Sequence, residues 1–223
     1  MPATDSADDR LAAEIVNTGT QWFVQPVLKG SYPADAAEYY RQRGLFPTVE
    51  PGDMEIISAK TNFLGINYYM QFDVSADGHD PRTGQFKVYF NPDKPKTYMG
   101  WAVEPRGLFN LLGLLKKEFG DIPLYVTENG AAYNDAVSAD GSVHDADRIA
   151  YLSGHLNACH DAIFEGGVNL KGYYLWSFLD NFEWSEGYNK RFGIVRVDYD
   201  TQKRTVKDSG LWYAGVIRNN GLE

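Results

Sequence analysis

The sequence predicts an α/β fold of parallel strands covered by helices, and three observations carry that reading. Short apolar runs alternate with longer segments of helical periodicity. The short runs are nearly continuous in apolar residues, as strands buried on both faces are. Each run ends on a polar or aromatic tip before the chain turns away.

A helix is expected first, around DDRLAAEIVNTGTQWFV (8–24), with no strand ahead of it. The first strand is NFLGINYY (62–69), followed after a long excursion by the helix GLFNLLGLLKKEF (107–119). There Leu108, Leu111, Leu112, Leu115 and Phe119 recur at helical spacing, Pro105 sits near the start and Gly120 stops the run. The second strand, IPLYV (122–126), leads to the helix DADRIAYLSGHLNACHDAIFEGG, with Asp145 as N-cap and Gly166-Gly167 as the stop. The third, LKGYYLW (170–176), is followed by a loop and the helix DSGLWYAGVIRNNG, capped by Asp208 or Ser209. The stretches 70–104 and 177–207 are too long for idle connections. QFKVYFNPDKP, within the first, reads as a small hairpin. The length invites a complete (β/α)8 barrel, typically about 250 residues, but only three strand–helix units are visible. The chain reads as part of a barrel with elaborate loops.

A net charge of -9 argues against nucleic acid or an anionic membrane surface as partner, since both need a basic footprint. No apolar run is long enough to span a bilayer, and the N-terminus MPATDSADDR is the opposite of a secretory signal. The one cysteine, Cys159, has no internal disulfide partner and reads as packing, which fits a reducing, cytoplasmic setting. Five Trp and 15 Tyr exceed what a core requires. Rings in excess serve either extra packing or a site that grips a flat ligand.

In a parallel barrel, functional groups gather where strands end and βα loops begin. Those ends offer Asn67 and Tyr69, then Glu128, then Trp176, and the loops beyond supply Trp101, Glu183, Trp184 and Phe192. Acids, an amide, a phenol and several rings on one rim suit a sugar. Pyranose C–H faces stack on Trp, and a carboxylate accepts bonds from two hydroxyls at once. Glu128 is then the candidate nucleophile of a retaining glycosidase, with Tyr69 orienting it. Each residue also has a plainer reading. A Glu before Asn-Gly is most often a turn residue, Trp176 and Trp184 fit core packing equally well, and Asp180 and Asn181 read as loop caps. His155 and His160 face apart on their helix, so with His144 they make no metal site, and His155 reads as a structural partner on the face of Arg148 and Tyr151. VEP occurs at Val49–Pro51 and Val103–Pro105, and neither Glu50 nor Glu104 follows the Asn expected of a sugar-site acid.

YVTENG, FLGINYY and GYYLWSFLDNFEWSEGYNKRFGIVRVDY resemble the C-terminal motifs of the glycoside hydrolase family 1 β-glucosidases. MGWAVEPRGL, KDSGLWY, PATDSADDRLAAE and WFVQPVLKGSYP resemble their flanking segments, so the likeness covers essentially the whole chain. The resemblance implies a (β/α)8 barrel of which residues 1–223 are the C-terminal half, a single partial domain beginning at the fifth βα connection. It implies retaining hydrolysis of β-glucosides without metal or organic cofactor. By the same resemblance Glu128 is the nucleophile and Tyr69 is bonded to it, with Asn67 nearby. Trp176 is the stacking platform, Glu183 and Trp184 hold sugar hydroxyls, Phe192 lines the wall and Trp101 gates the leaving group.

The family's T-x-N-E-P motif, source of its general acid/base, is absent from these residues, as are its early Gln and His-Trp sugar contacts. The expected partner is therefore a complementary N-terminal half-barrel, or a second copy of this chain. Three rival readings stand beside this one. A non-catalytic carbohydrate-binding or assembly fragment would keep the aromatic platform. A 6-phospho-β-glycosidase is disfavoured because Glu183 would repel the phosphate and Phe192 offers no hydroxyl. A thioglucosidase differs at the absent acid position.

Overall fold

The computed structural model describes residues 1–77, 86–89 and 91–222, without the side chains of residues 18–20. In chain order the elements are α1 (Ala7–Lys29), α2 (Ala34–Gln42), α3 (Asp53–Ile57), β1 (Leu64–Asn67), β2 (Asp73–Ser75), β3 (Lys87–Tyr89), α4 (Pro105–Phe119), β4 (Leu124–Asn129), α5 (Ala146–Phe164), β5 (Leu170–Leu175), a 3-10 turn (Trp184–Glu186), β6 (Val195–Val197), β7 (Arg204–Val206) and α6 (Asp208–Asn219). They form two compact units, Met1–Asn62 with Phe72–Pro92, and Phe63–Gln71 with Asp93–Glu223.

In the first unit, α1 starts where Ser6 accepts from the Asp9 N–H, a side-chain N-cap. It runs past the expected end, through Pro26, to Gly30 at φ 68, whose N–H closes on the Pro26 carbonyl. Trp22 then packs on Tyr32 and Tyr40 at 4.5 and 4.7 Å between ring centres. The expected hairpin is placed differently: QFKVYFNPDKP contributes only β3, and its antiparallel partner is β2, earlier in the chain. Residues 85 and 90 of that segment lie outside the described residues. Val74 of β2 is the buried contact, set against Ala12 and Ala13.

The second unit holds a three-stranded parallel sheet in the order β1–β4–β5. Leu108, Leu112 and Leu115 of α4, with Cys159 and Ala162 of α5, pack on Ile66, Leu124 and Val126. Each fully buried leucine contributes about 1.5–3 kcal/mol of transfer free energy. Pro105 occupies the first turn of α4 and Gly120 ends it at φ 79. Only this face of the sheet is covered by helices of the unit. On the other, Gly65, Asn67 and Thr127 are exposed and Tyr174 is 58% exposed, although a parallel sheet ordinarily buries both faces.

Two expectations are corrected and a third is extended. The second strand runs to Asn129 rather than Val126, because the Tyr68 N–H bonds to the Glu128 carbonyl and the Trp176 N–H to the Asn129 carbonyl, continuing the ladder. Asp145 holds the N-cap position of α5 as expected, but its carboxylate makes no cap bond there; it accepts instead from the N–H and hydroxyl of Ser209 at 2.8 and 2.6 Å, at the start of α6. Neither Asp208 nor Ser209 is then the cap of α6: Lys207 holds that position and Asp208 pairs with His144 at 2.7 Å. The stretch 177–207 also contains an antiparallel hairpin, β6–β7, which periodicity did not announce.

Candidate active site

The end of β4 is where the sheet becomes chemical. Leu124 and Val126 face the helices, Thr127 faces the open side, and the pairing with β5 then shifts register between Val126 and Asn129. Such a shift re-aims side chains at a strand end. It leaves Glu128 half-buried and Asn129 fully buried. Tyr69, just beyond β1, donates its hydroxyl to Glu128 Oε2 at 2.6 Å, the length of a charge-assisted O–H···O⁻ bond. Burial raises the Tyr69 phenol far above its ordinary value, reinforced by the bond to Glu128 and by the negative charges of Glu128 and Glu183. The phenol therefore stays a donor at every working pH. Gly130 follows because a Cβ there would meet the Trp176 carbonyl oxygen at 1.7 Å.

Rings close around this pair. Trp101 lies 5.6 Å from Tyr69, and Phe192 lies 6.1 Å from both Tyr69 and Trp101, all between ring centres. Trp176, at the end of β5, is half-buried, and its bond to Ser177 is cis. Glu183 is raised above the usual carboxylate range, first by burial and then by the charges of Glu128 and Glu186, while a hydrogen-bonding contribution from Trp176 pulls it back. Of the residues singled out in the sequence, Tyr69, Trp101, Glu128 and Phe192 are thus in one cluster, with Glu183 and Trp176 electrostatically or hydrogen-bond coupled to it. Asn67 sits opposite Glu128 in register, and its exposed side chain accepts from the Thr127 hydroxyl at 2.7 Å. Trp184 is 81% exposed, at φ 42 on the 3-10 turn. Glu104 is the helix-start residue expected of it, pairing with Lys94 at 3.0 Å.

Two supporting structures escaped the sequence reading. One is the buried Asn129 amide. The other is an ionic network behind the rim. Asp180, read as a loop cap, is fully enclosed and accepts from Arg191 at 2.6 Å, from Lys207 at 3.0 Å, and from the N–H groups of Gly193 and Val197. Lys207 also bonds to Asp135, which takes Arg148 at 2.8 Å. Arg148 reaches Asp145 and the carbonyls of Ala131 and Arg191. Three aspartates thus face three cations, and the network ties the loop bearing Glu183 and Phe192 to the starts of α5 and α6. The signal available was Arg148 on the same helical face as Tyr151, Leu152 and His155, all buried. Among the described residues no cluster of three or more His, Cys, Asp or Glu is arranged to hold a metal, and no helix is long and apolar enough to cross a membrane.

The family description "Glycosyl hydrolase family 1" matches residues 1–222. The chain belongs to glycosyl hydrolase family 1. Beta-glucosidase A of Thermotoga maritima is 47% identical over 225 residues, covering 100% of this chain and 49% of the relative. Beta-glucosidase A of Acetivibrio thermocellus is 43% identical, covering 99% and 49%. The solved family 1 β-glucosidase of Thermotoga maritima superposes with a TM-score of 0.91 at 45% identity, covering 100% of this chain and 49% of that one. A structure of the Thermotoga enzyme in complex with deoxynojirimycin gives 0.90 at 44%, again over 100% and 49%. The chain spans about half the length of the curated relatives it matches. Its parallel sheet and helices are accordingly half of the (β/α)8 barrel of these neighbours.

Proposed function

We propose that residues 1–223 form one partial domain, the C-terminal half of a retaining β-glucosidase, supplying the nucleophile and most of the sugar pocket. The observation that carries this is the 2.6 Å bond from Tyr69 to Glu128 inside a ring of aromatic side chains. Glu128 attacks the anomeric carbon and the glycosidic oxygen departs, leaving a glycosyl ester on the carboxylate. Water then cleaves that ester and returns Glu128 as a carboxylate. Tyr69 aims the attacking oxygen and, in the second step, meets the negative charge as Glu128 leaves. Trp176 offers a stacking face to the sugar, Asn67, Glu183 and Trp184 take its hydroxyls, Phe192 walls the pocket and Trp101 borders the leaving group. The complexes of the Thermotoga relative with castanospermine and deoxynojirimycin support a sugar-shaped ligand.

Retention requires a second carboxyl group about 5–5.5 Å from the nucleophile. In this reading it comes from a complementary N-terminal half-barrel, or from a second copy of the chain, which also covers the open face of the sheet. A cytoplasmic setting, where Cys159 stays reduced, belongs to the same reading. The test is to mix the chain with an N-terminal half-barrel of a family 1 β-glucosidase and assay an aryl β-glucoside. Hydrolysis restored by mixing and abolished by Glu128→Gln is expected. A stable assembly that binds glucose-like ligands and never hydrolyses would favour a non-catalytic binding fragment instead.

A further inference from the structure

We infer that Asn129, acting through Tyr151, is the positioning residue that holds Tyr69 on Glu128. Asn129 is 0% exposed and lies one residue beyond Glu128 on β4. Its amide nitrogen donates to the Tyr68 carbonyl at 2.7 Å and to the Tyr151 hydroxyl at 3.0 Å, while its oxygen accepts from the Tyr173 hydroxyl at 2.5 Å. The Tyr151 hydroxyl in turn donates to the Tyr69 carbonyl at 3.1 Å.

The direction of every bond is forced. A carbonyl oxygen only accepts, so the atom facing Tyr68 must be the NH2 group. The amide oxygen then faces Tyr173, which must donate. Tyr151 receives from Asn129 and is left with its own hydrogen for Tyr69. The network thus specifies one arrangement of donors and acceptors. Burial keeps both phenols protonated.

The consequence lies in what is anchored. The carbonyls of Tyr68 and Tyr69 are both held, so the backbone carrying the Tyr69 ring is fixed against β4. Tyr151 itself is stacked on His155 at 4.0 Å between ring centres. His155 donates its Nδ1–H to the Tyr151 carbonyl at 2.7 Å, which seats the ring in α5. Asn129 thereby sets the distance between two side chains it does not touch. Glu183, from the loop after β5, is the other charged group coupled to the Tyr69–Glu128 pair, and it is not part of the network.

This inference rests on Glu128 being the reacting group, so one of its readouts is independent of activity. Tyr151→Phe keeps the stack on His155 and removes only the hydroxyl; Asn129→Asp puts an acceptor against the Tyr68 carbonyl. In a crystal structure of the full chain carrying Tyr151→Phe, the Tyr69–Glu128 separation should lengthen beyond hydrogen-bonding distance. In the chain completed by the N-terminal half, glycosylation of Glu128 by a 2-fluoro-glucoside should slow about tenfold, equivalent to about 1.4 kcal/mol. The slowing should fall on the rate constant of glycosylation and leave the affinity for the fluoro-glucoside unchanged. Tyr213→Phe on α6, which makes none of these bonds, should neither lengthen the contact nor slow the labelling. An unchanged 2.6 Å contact in Tyr151→Phe, or a slower labelling that comes from weaker binding alone, overturns the inference. A lengthened contact in a chain that is never labelled, even as wild type, upholds the positioning role and removes the catalytic reading instead.

Discussion

Replacing Lys207 by Met tests the ionic network behind the rim without reference to catalysis. The Lys207 side chain is fully buried, and its ammonium bonds to Asp135 and Asp180. Burial and the Arg148 charge depress its protonation, and the two aspartates oppose them. Removing one partner from a buried ion pair costs about 3–5 kcal/mol, because the remaining charge is left uncompensated in a dry site. Here each aspartate keeps a second cation, Arg148 on Asp135 and Arg191 on Asp180, and Asp180 keeps two backbone donors. The loss therefore belongs at the lower end, about 3 kcal/mol. For a chain of this size that corresponds to a melting temperature lower by roughly 6–12 °C. The assay is thermal and urea unfolding of Lys207→Met beside Lys203→Met, an exposed lysine expected to lie within about 0.5 kcal/mol of wild type. If Lys207→Met also stays within that margin, the network does not organise the Glu183 loop.

Tyr69→Phe should slow the second chemical step more than the first, since the phenol meets a charge that grows as Glu128 leaves. A hydrogen bond to a charged group is worth about 1.5–3 kcal/mol, so kcat for an activated aryl glucoside should fall about 10- to 150-fold with KM falling too; pre-steady-state kinetics would show the burst. Gly130→Ala drives a methyl into the Trp176 carbonyl, 1.7 Å away, and should abolish sugar binding and depress folding yield, read by calorimetry and soluble expression. His144 is raised above its ordinary value by its bond to Asp208, with Asp140 adding to it. The stabilisation it gives is full below the unfolded value and lost as pH rises through the folded one. The stability gap between wild type and His144→Gln, from urea titrations, should thus be larger at pH 6 than at pH 9, and a gap growing with pH would contradict the pairing.

The sequence disclosed those elements whose signals are local. The leucine spacing of α4, closed by Pro105 and Gly120, and the three apolar strands were readable because burial and punctuation sit in the same segment. Strand ends were not, since Glu128 and Asn129 extend β4 through bonds to Tyr68 and Trp176, just beyond the neighbouring strands. The β6–β7 hairpin hid behind charged residues, although Val195 and Val197 show the period-2 burial of a strand. Asp145 stands at the N-cap of α5 as its position suggested, but its carboxylate serves Ser209, 64 residues away. Tyr69 and Glu128 stood out as strand-end residues, but their contact spans 59 positions and had no signature in either motif alone. Asn129 was legible only as a turn residue. Its bonds to Tyr68, Tyr151 and Tyr173 join three elements that approach one another only in the fold.

The proposed hydrolysis depends on Glu128 as the nucleophile. The most direct measurement is mass spectrometry of the chain, assembled with an N-terminal half-barrel and treated with a 2-fluoro-glucoside. One added fluoroglucosyl group is expected on the peptide containing Glu128, absent from Glu128→Gln. A label on any other residue, or persistent labelling of Glu128→Gln, would contradict it.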